Sequence, residues 1–454
     1  MKLLLIITIL FIWNQTLYAK DEKDNKPKKK IVAKQRIQCN MTIKYKKRPK
    51  KVDKFVDIFT KGVFYGRFRT NNFFYNTAST SYNVGGNLLF KSGRYNGLAF
   101  TTSIYSSKEI RDSKTESMTS FVQNFLSFKK HRVELKLGRF LVETFMLQSH
   151  DGKMIPNAFQ GVHLRIGTIP KTKIVLAYLT KQKLRTHSKF HDVILDNDDK
   201  TMHRGLSASK LKENGIKDRL IVFETKNRIF KNTQLRLGYT AVPELISSAV
   251  VEGAYKFKFD NGLKIKPSIR YMQQFDNGAG DIGGANLKND TRGYRDVNSL
   301  KSSLIAGRID FIFDSSSLRL GYSKVEDKGD IVAPWDGLPT AGYTRPMSGM
   351  NWYANSETFM VRADYDFPEN SFFEGLHVMS RYAINNFDDK KPAVPSDSNV
   401  FTFDLVKRSK NNPNLFLKLR SMILKEDHKV ANMDGSYKKN PSVKALRLEM
   451  DYLF

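Results

Sequence analysis

The chain has 454 residues, 40% hydrophobic and 12% aromatic, and its 76 Lys and Arg exceed 45 Asp and Glu to give a net charge of +31. A single cysteine excludes an internal disulfide framework, and after the N-terminus no apolar run of about 18 residues indicates a membrane-spanning helix. A polar chain that is nevertheless rich in aromatic residues is typical of a transmembrane β-barrel, whose strands face lipid on one side and water on the other.

Residues 1–19 have the pattern of a secretory signal peptide. Lys2 supplies a positive start, residues 3–13 are apolar, and Ala19 ends a small-residue cleavage site. The apolar run is too short to cross about 30 Å of hydrocarbon, which argues against a membrane anchor. A signal peptide predicts export, so we expect no nucleic-acid partner for the positive charge.

Residues 20–54 are predicted to form a basic, largely disordered periplasmic extension. They contain 15 Lys and Arg and 4 acidic residues, so their net charge is 15 − 4 = +11. Self-repulsion of this kind opposes folding. Two roles are open: a solvated extension, or attachment to anionic lipid or to a cell-wall polymer such as peptidoglycan.

From residue 55 to residue 454 the sequence changes to short alternating runs separated by polar, Gly-rich loops. In "TQLRLGYT", Leu235, Leu237 and Tyr239 share one face and Arg236 lies on the other, and "SLRLGYSK" and "FMVRADYDF" repeat the pattern. A soluble β-sandwich gives the same local pattern, but the long loops and the charged polar faces favour a membrane barrel. The length predicts an all-β, transmembrane antiparallel β-barrel of about 18 strands, or 16, around an aqueous pathway.

The segment "SHDGKMIPNAFQGV" at 149–162 lies between two such runs, in a predicted loop at 140–161. A loop of this length inside a compact region is usually functional or disordered, and Phe145, Met146 and Ile155 make it too apolar for disorder. We therefore expect a constriction loop folded into the barrel. The predicted constriction residues are Asp151, Lys153, Arg139 and His150.

The polar face of the strands carries an excess of basic residues. A narrow, low-dielectric channel focuses such a field and attracts anions or carboxylate groups. The alternative is that these charges pair across neighbouring strands and only line the wall. The predicted lumen residues are Arg132, Lys136, Arg236, Arg308, Arg319, Arg362, Arg420 and Arg447, with Lys256, Lys258, Lys264, Lys266, Arg270 and Lys418 also on polar faces.

The final run, "VKALRLEMDYLF", alternates to the last residue and ends on an aromatic side chain. Tyr452 and Phe454 lie in its apolar register, which resembles the terminal strand that the barrel-assembly machinery recognises. They are therefore the predicted assembly signal.

No sequence motif indicates an enzyme, and neither a cofactor nor a metal is predicted. The eight histidines are scattered, and there is no zinc-protease, serine-hydrolase or P-loop pattern. His187, His191 and Asp192 are the best metal candidates, but they lie in a predicted loop without helical periodicity. "DNDD" at 196–199 lacks the glycine and distal glutamate of a calcium loop.

These features resemble the OprD-type family of outer-membrane porins. The segment from Asp151 to Gly161 is similar to the family pattern D-x-[RK]-x-x-P-x-x-F-x-G, with Lys153, Pro156 and Phe159 at its fixed positions, and "APWDGLPTAGYT" at 333–344 is similar to an extracellular loop of some relatives. The resemblance implies an 18-stranded, usually monomeric barrel, with a trimer as the alternative, whose inward loops form a narrow eyelet. Family members commonly have Arg where this chain has Lys153, a point charge rather than a planar fork, so selectivity does not carry over.

The sequence therefore predicts an outer-membrane porin for passive diffusion of small, anionic or carboxylate-bearing solutes, guided by basic lumen residues. Its expected partners are these solutes, outer-membrane lipid and the assembly machinery. The alternative function is a barrel that acts mainly in adhesion or cell-wall attachment through its long loops and basic extension.

Overall fold

The structure is a computed structural model that describes residues 33–34, 43–45, 49–78, 80–110, 117–194, 206–287, 290–335, 337–347, 349–368, 371–426, 438 and 442–454. The predicted signal peptide, most of the predicted extension and the segment 196–199 lie outside the described residues. All described residues belong to one compact unit, Val32–Phe454.

Eighteen long antiparallel strands close into a barrel, because the last strand pairs with the first, with Leu453 opposite Arg67. This confirms the predicted fold class and the larger of the two predicted strand numbers. The strands are β1 Val63–Tyr75, β2 Ser81–Lys91, β3 Leu98–Glu109, β4 Met118–Lys130, β5 Val133–Phe140, β6 Ala158–Ile166, β7 Thr172–Lys183, β8 Leu220–Asn227, β9 Thr233–Val242, β10 Ile246–Tyr255, β11 Lys264–Asp276, β12 Ser302–Phe313, β13 Ser316–Val325, β14 Glu357–Asp366, β15 Leu376–Asn386, β16 Ser398–Arg408, β17 Leu415–Glu426 and β18 Val443–Leu453.

Short elements complete the fold. Strand Ala33–Lys34 pairs with Lys44–Tyr45, strand Lys51–Val52 pairs with Arg94–Tyr95, and strand Phe257–Lys258 pairs with the start of β11. Three short helices span Asp57–Thr60, Ala208–Glu213 and Ala279–Gly283. Within the described part of the chain, no helix is both long and apolar enough to cross a membrane.

The period-two alternation gives every strand an outer and an inner face. Leu237 and Leu318 are 45% and 42% exposed on the outside, whereas their neighbours Arg236 and Arg319 are partly buried inside. An outer face of exposed apolar side chains is what contact with lipid requires, and the basic face turns toward the lumen.

The connections differ in length at the two ends of the barrel. At the end where Phe454 lies they are short; between β2 and β3, for example, Asn96 and Gly97 both have positive φ, as a tight hairpin turn requires. Long loops at the opposite end identify it as extracellular, since barrels of this class have short periplasmic turns. The longest of these loops span 141–157, 184–219, 277–301, 326–356, 387–397 and 427–442.

The long loops fold inward and build an apolar core against one side of the wall. Leu147, Ile194, Leu300 and Trp335 come from four different loops and pack in one cluster with inward-facing strand residues such as Met272. The loops cross closely, because a Cβ on Gly337 would lie only 2.0 Å from the carbonyl oxygen of Met146. On the side of β7 to β13, the extracellular half of the lumen is therefore filled with protein.

Candidate channel and constriction

The constriction loop spans 141–157, because β5 ends at Phe140 and β6 already begins at Ala158. The predicted loop, 140–161, ended four residues too late. Its apolar residues divide between two clusters: Met146 and Leu147 join the loop core, while Met154 and Ile155 pack under Tyr105 and Val122 of the wall. The loop folds into the barrel as predicted.

Asp151 ties the tip of this loop to the wall. Arg67 Nη1 lies 2.5 Å from Asp151 Oδ2, and Arg69 Nη1 donates to the Asp151 backbone oxygen at 2.8 Å. Burial alone would raise the pKa of the Asp151 carboxyl, but the charges of Arg67 and Arg69 and the hydrogen bond from Arg67 outweigh it and hold the pKa below its usual range. Asp151 is buried, so its geometry is that of a tether rather than of a group open to the pore.

The two arginines that hold Asp151 are themselves held by the last strand. Arg67 pairs with Asp451 at 2.7 Å and Arg69 with Glu449 at 2.6 Å. Neighbouring groups continue the network: Lys418 Nζ lies 2.9 Å from Asp451, and Arg447 lies 2.7 Å from Glu449. We call these six wall residues with Asp151 the tether network; it joins β1, β17 and β18 to the constriction loop.

Lys153 is exposed in the lumen, and His150 lies buried beside it at the edge of the same space. The Nζ of Lys153 lies 4.7 Å from the centre of the Phe73 ring. Desolvation in the lumen lowers the pKa of Lys153 although water reaches its side chain, and the charges of Arg185 and Arg447 lower it further. His150 lines the same space and contacts the Arg185 guanidinium. A role of Lys153 and His150 in the constriction stays a prediction.

The prediction that Arg139 lines the constriction is wrong. Arg139 lies two residues beyond Leu137 on β5, and its partner Gln160 lies two residues before Val162 on β6. Leu137 and Val162 are exposed on the outer face, so Arg139 belongs to the same outward-facing row. Its guanidinium donates to Gln160 Oε1 and stacks on Phe190, at 4.4 Å from the ring centre. The alternation that places Leu137 outward applies equally to Arg139, so the residue is no wall partner of the lumen.

A cavity of about 970 Å³ lies beside the constriction loop. Among the described residues, twelve Lys and Arg line it against three acidic residues, Glu143, Glu224 and Asp330. The basic residues are Lys153, Lys173, Arg185, Lys226, Arg236, Arg270, Arg319, Arg345, Arg362, Arg381, Arg420 and Arg447.

Three of these residues stand side by side on neighbouring strands. Arg319 of β13 lies directly opposite Arg362 of β14, which lies opposite Arg381 of β15; we call them the arginine row. Like charges in opposite positions destabilise a sheet, and acids partly compensate: Arg319 lies 2.5 Å from Asp310, and Arg362 lies 2.7 Å from Asp364. Both acids lie on the inner face of the wall, Asp310 opposite Arg319 and Asp364 two residues along β14 from Arg362, and neither lines the cavity.

An apolar band borders the arginine row on the extracellular side. Met360, Met422 and Ala445 point inward and pack in one cluster with Tyr75 and Met347. All five of these residues also line the cavity. The passage therefore presents positive charge and apolar surface next to each other.

The remaining predicted lumen residues divide into three groups. Arg236, Arg420 and Arg447 line the cavity as the row does. Lys136 and Arg308 point inward without lining it; Arg308 instead donates to the Gly342 carbonyl of an inward loop at 2.5 Å. The prediction that Arg132 lines the lumen is wrong, because Arg132 lies exposed in the two-residue turn between β4 and β5 rather than on a strand.

Sequence reasoning missed the residues that hold the constriction loop. Arg67 and Arg69 alternate with Phe64 and Phe68 in "FYGRFR", so the period-two signal was available and would have placed both inside. Arg185 and Arg345 lie in irregular loops, where no periodicity indicates which way a side chain points.

The metal candidate does not gain a third ligand. His187 Nδ1 and His191 Nε2 are 3.0 Å apart, but among the described residues no group of three or more His, Cys, Asp or Glu side chains could hold a metal ion.

Tyr452 and Phe454 lie in the outward register, and their rings stack with their centres 6.1 Å apart. Phe454 also exchanges backbone hydrogen bonds with Gly66 of β1 at 2.8 and 3.0 Å, which extends the closing seam to the last residue. A role as an assembly signal remains a prediction.

Comparison with known families and structures agrees with this architecture. The family model described as outer membrane porin, OprD family, matches residues 96–397. No curated protein matches the chain.

Several solved structures have a similar fold. The Pseudomonas aeruginosa protein OpdK, in a structure with vanillate, has a TM-score of 0.71 at 14% identity, covering 87% of this chain and 99% of its own. Pseudomonas aeruginosa OccD3 (OpdP) has a TM-score of 0.69 at 15% identity, covering 87% and 92%. Acinetobacter baumannii OccAB3 has a TM-score of 0.68 at 15% identity, covering 87% and 100%.

Proposed function

Because this chain belongs to the OprD family of outer-membrane porins, we propose that it forms a water-filled channel for the passive diffusion of small, carboxylate-bearing anions. The observation that carries the proposal is the cavity lining, in which, within the part of the chain that the structure describes, twelve basic residues face three acidic ones. Low-dielectric walls strengthen the field of such an excess, so anions are concentrated in the passage and cations are depleted.

The arginine row supports a carboxylate as the favoured anion. Guanidinium groups present a planar fork of donors that matches the two oxygens of a carboxylate. Arg319, Arg362 and Arg381 place three guanidinium groups in series on successive strands. Each also donates to the wall or to a loop, as Arg362 does to Asp364 through Nε and Nη2, so it is their positive charge that attracts a carboxylate and lets it pass from one to the next.

The apolar band supports a solute with an apolar body. Met360, Met422 and Tyr75 lie beside the guanidinium groups, and flexible methionine side chains accommodate rings of varied shape. A related channel, OpdK, has been solved with vanillate, an aromatic carboxylate. An aromatic or branched monocarboxylate fits both surfaces of this cavity.

Liposome swelling tests the proposal. Proteoliposomes are given benzoate or benzamide, which have nearly the same size and differ in charge. We expect benzoate to enter faster, and the difference to shrink when Arg362→Gln replaces the middle residue of the row. Equal rates for benzoate and benzamide in the unmodified protein would contradict the proposed selectivity.

A further inference from the structure

The inner wall is apolar at one place on the periplasmic end. Val63, Tyr65, Leu89, Phe416 and Leu453 all face inward there, and all are at least nine-tenths buried. A barrel wall that faces an aqueous lumen is expected to be polar. Side chains this apolar, and this well buried, need a cover inside the barrel.

The cover is part of the N-terminal segment. Ile43 and Tyr45 pack against Phe416 and Leu453, and Tyr45 also packs with the group around Tyr65. The Tyr45 and Tyr65 rings stack with their centres 4.1 Å apart and their planes 24° apart. These residues therefore lie within the barrel, on the side of β1, β2, β17 and β18.

Polar contacts fix the same position. Lys91 Nζ, from the inner face of β2, lies 6.0 Å from the centre of the Tyr45 ring and 5.6 Å from that of Tyr65. Tyr45 also interacts electrostatically with Arg67 of the tether network. The segment thus reaches the tether network from its periplasmic side.

This arrangement divides the periplasmic half of the lumen. Residues 43–45 do not line the 970 Å³ cavity, whose basic lining instead reaches the periplasmic ends of β7 and β8 at Lys173 and Lys226. On the periplasmic side of the tether network, residues 43–45 cover the wall of β1, β2, β17 and β18, and the basic outlet at Lys173 and Lys226 lies on the other side.

We propose that residues 43–45 are an internal plug that closes the β1, β2, β17 and β18 side of the periplasmic mouth and confines permeating solutes to the Lys173 and Lys226 outlet. The inference rests on the channel function proposed above. It assigns to a short stretch of the basic extension a direct effect on permeability, in contrast to a role in attachment alone.

The test removes the plug from the full chain. Deletion of residues 33–48 leaves residues 1–32 in place, and the double variant Ile43→Ser with Tyr45→Ser removes only the apolar contacts. We expect both to increase unitary conductance in planar bilayers while the sign of the reversal potential is kept. The matched control, Tyr45→Phe, retains the ring stack and should conduct like the unmodified protein.

A thiol probe reports on the plug without relying on current. In a Cys39→Ser background, Leu89→Cys should react slowly with a water-soluble maleimide and severalfold faster once residues 33–48 are deleted. Unchanged conductance together with unchanged labelling in the deletion variant would overturn the plug. If no variant conducts at all, the channel proposal fails, whereas the labelling rate still decides whether the plug exists.

Discussion

The two sides of the lumen have the same kind of wall and different contents. Along β7 to β13, inward loops pack Leu300, Trp335 and Met272 into a dry core. Along β13 to β18, the loops leave the wall open, and Arg362, Arg420 and their neighbours line a water-accessible cavity. Arg308 shows the contrast within the filled side, since its guanidinium donates to the Gly342 carbonyl of an inward loop and does not line the cavity.

The difference teaches that the loops, rather than the strands, decide where the channel runs. Inward-facing arginines occur on both sides. Arg308 donates to a loop carbonyl and does not line the cavity, whereas Arg319 and Arg381 line it although each also donates to a loop carbonyl. Two different forces hold the loops: apolar burial on the filled side, and the buried charges of the tether network on the open side. Substitutions on the two sides should therefore have separable effects.

The largest effect is expected from Asp151→Ala. Removing one partner of a buried ion pair costs about 3–5 kcal/mol, because the remaining charges stay buried without compensation. The tip of the constriction loop should detach, and single-channel recordings should show higher and noisier conductance. A barrel that retains its heat-modifiable mobility in gels but conducts like the unmodified protein would show that the tether does not hold the loop.

The Trp335→Ala substitution should destabilise the loop core on the filled side of the lumen. Its side chain is 1% exposed in the loop core, and truncating a buried tryptophan costs about 3 kcal/mol or more. We expect faster protease cleavage within 326–356 and no change in the ratio of anion to cation permeability. A shift in that ratio would mean that the core and the lining are not separable.

Acid should weaken the attachment of the constriction loop to the wall on the open side, and not the apolar loop core. Since the folded pKa of Asp151 is depressed, its stabilisation is complete above the usual carboxylate range, about pH 4, and is lost as the pH falls through the lower folded value. Conductance should be constant from neutral pH to about pH 4 and rise reversibly below it. A transition centred near pH 6 would indicate a histidine and contradict the tether account.

Lys153→Ala should have the smallest effect. It removes one of twelve basic residues from the lining, so the anion preference measured from reversal potentials should fall slightly. Arg132→Gln is the matched control, because it removes a positive charge from an exposed turn outside the cavity. Equal effects of the two variants would exclude a specific role for Lys153.

Much of this architecture follows from local sequence. Lipid and water on opposite faces impose period two, so the sequence of β9, β13, β14 or β18 shows which side chains point inward. The same rule, applied to Arg139, would have placed it outward; only its position beside the loop suggested otherwise.

The tether network and the choice of open side do not follow from local sequence. Arg67 and Asp451 are 384 residues apart and meet only because the barrel closes. Which arginines remain uncovered depends on how four irregular loops pack, and irregular segments have no periodicity that fixes the direction of a side chain. Residues 43–45 were likewise assigned to a disordered extension because their charged neighbours dominate its composition.

Reversal potentials in asymmetric potassium chloride test the central claim most directly. The account predicts a clear anion preference for the unmodified protein and a large loss of it when Arg319, Arg362 and Arg381 are all replaced by Gln, with little change in conductance. A neutral or cation-selective reversal potential in the unmodified protein, or an unaltered anion preference in the triple variant, would contradict it.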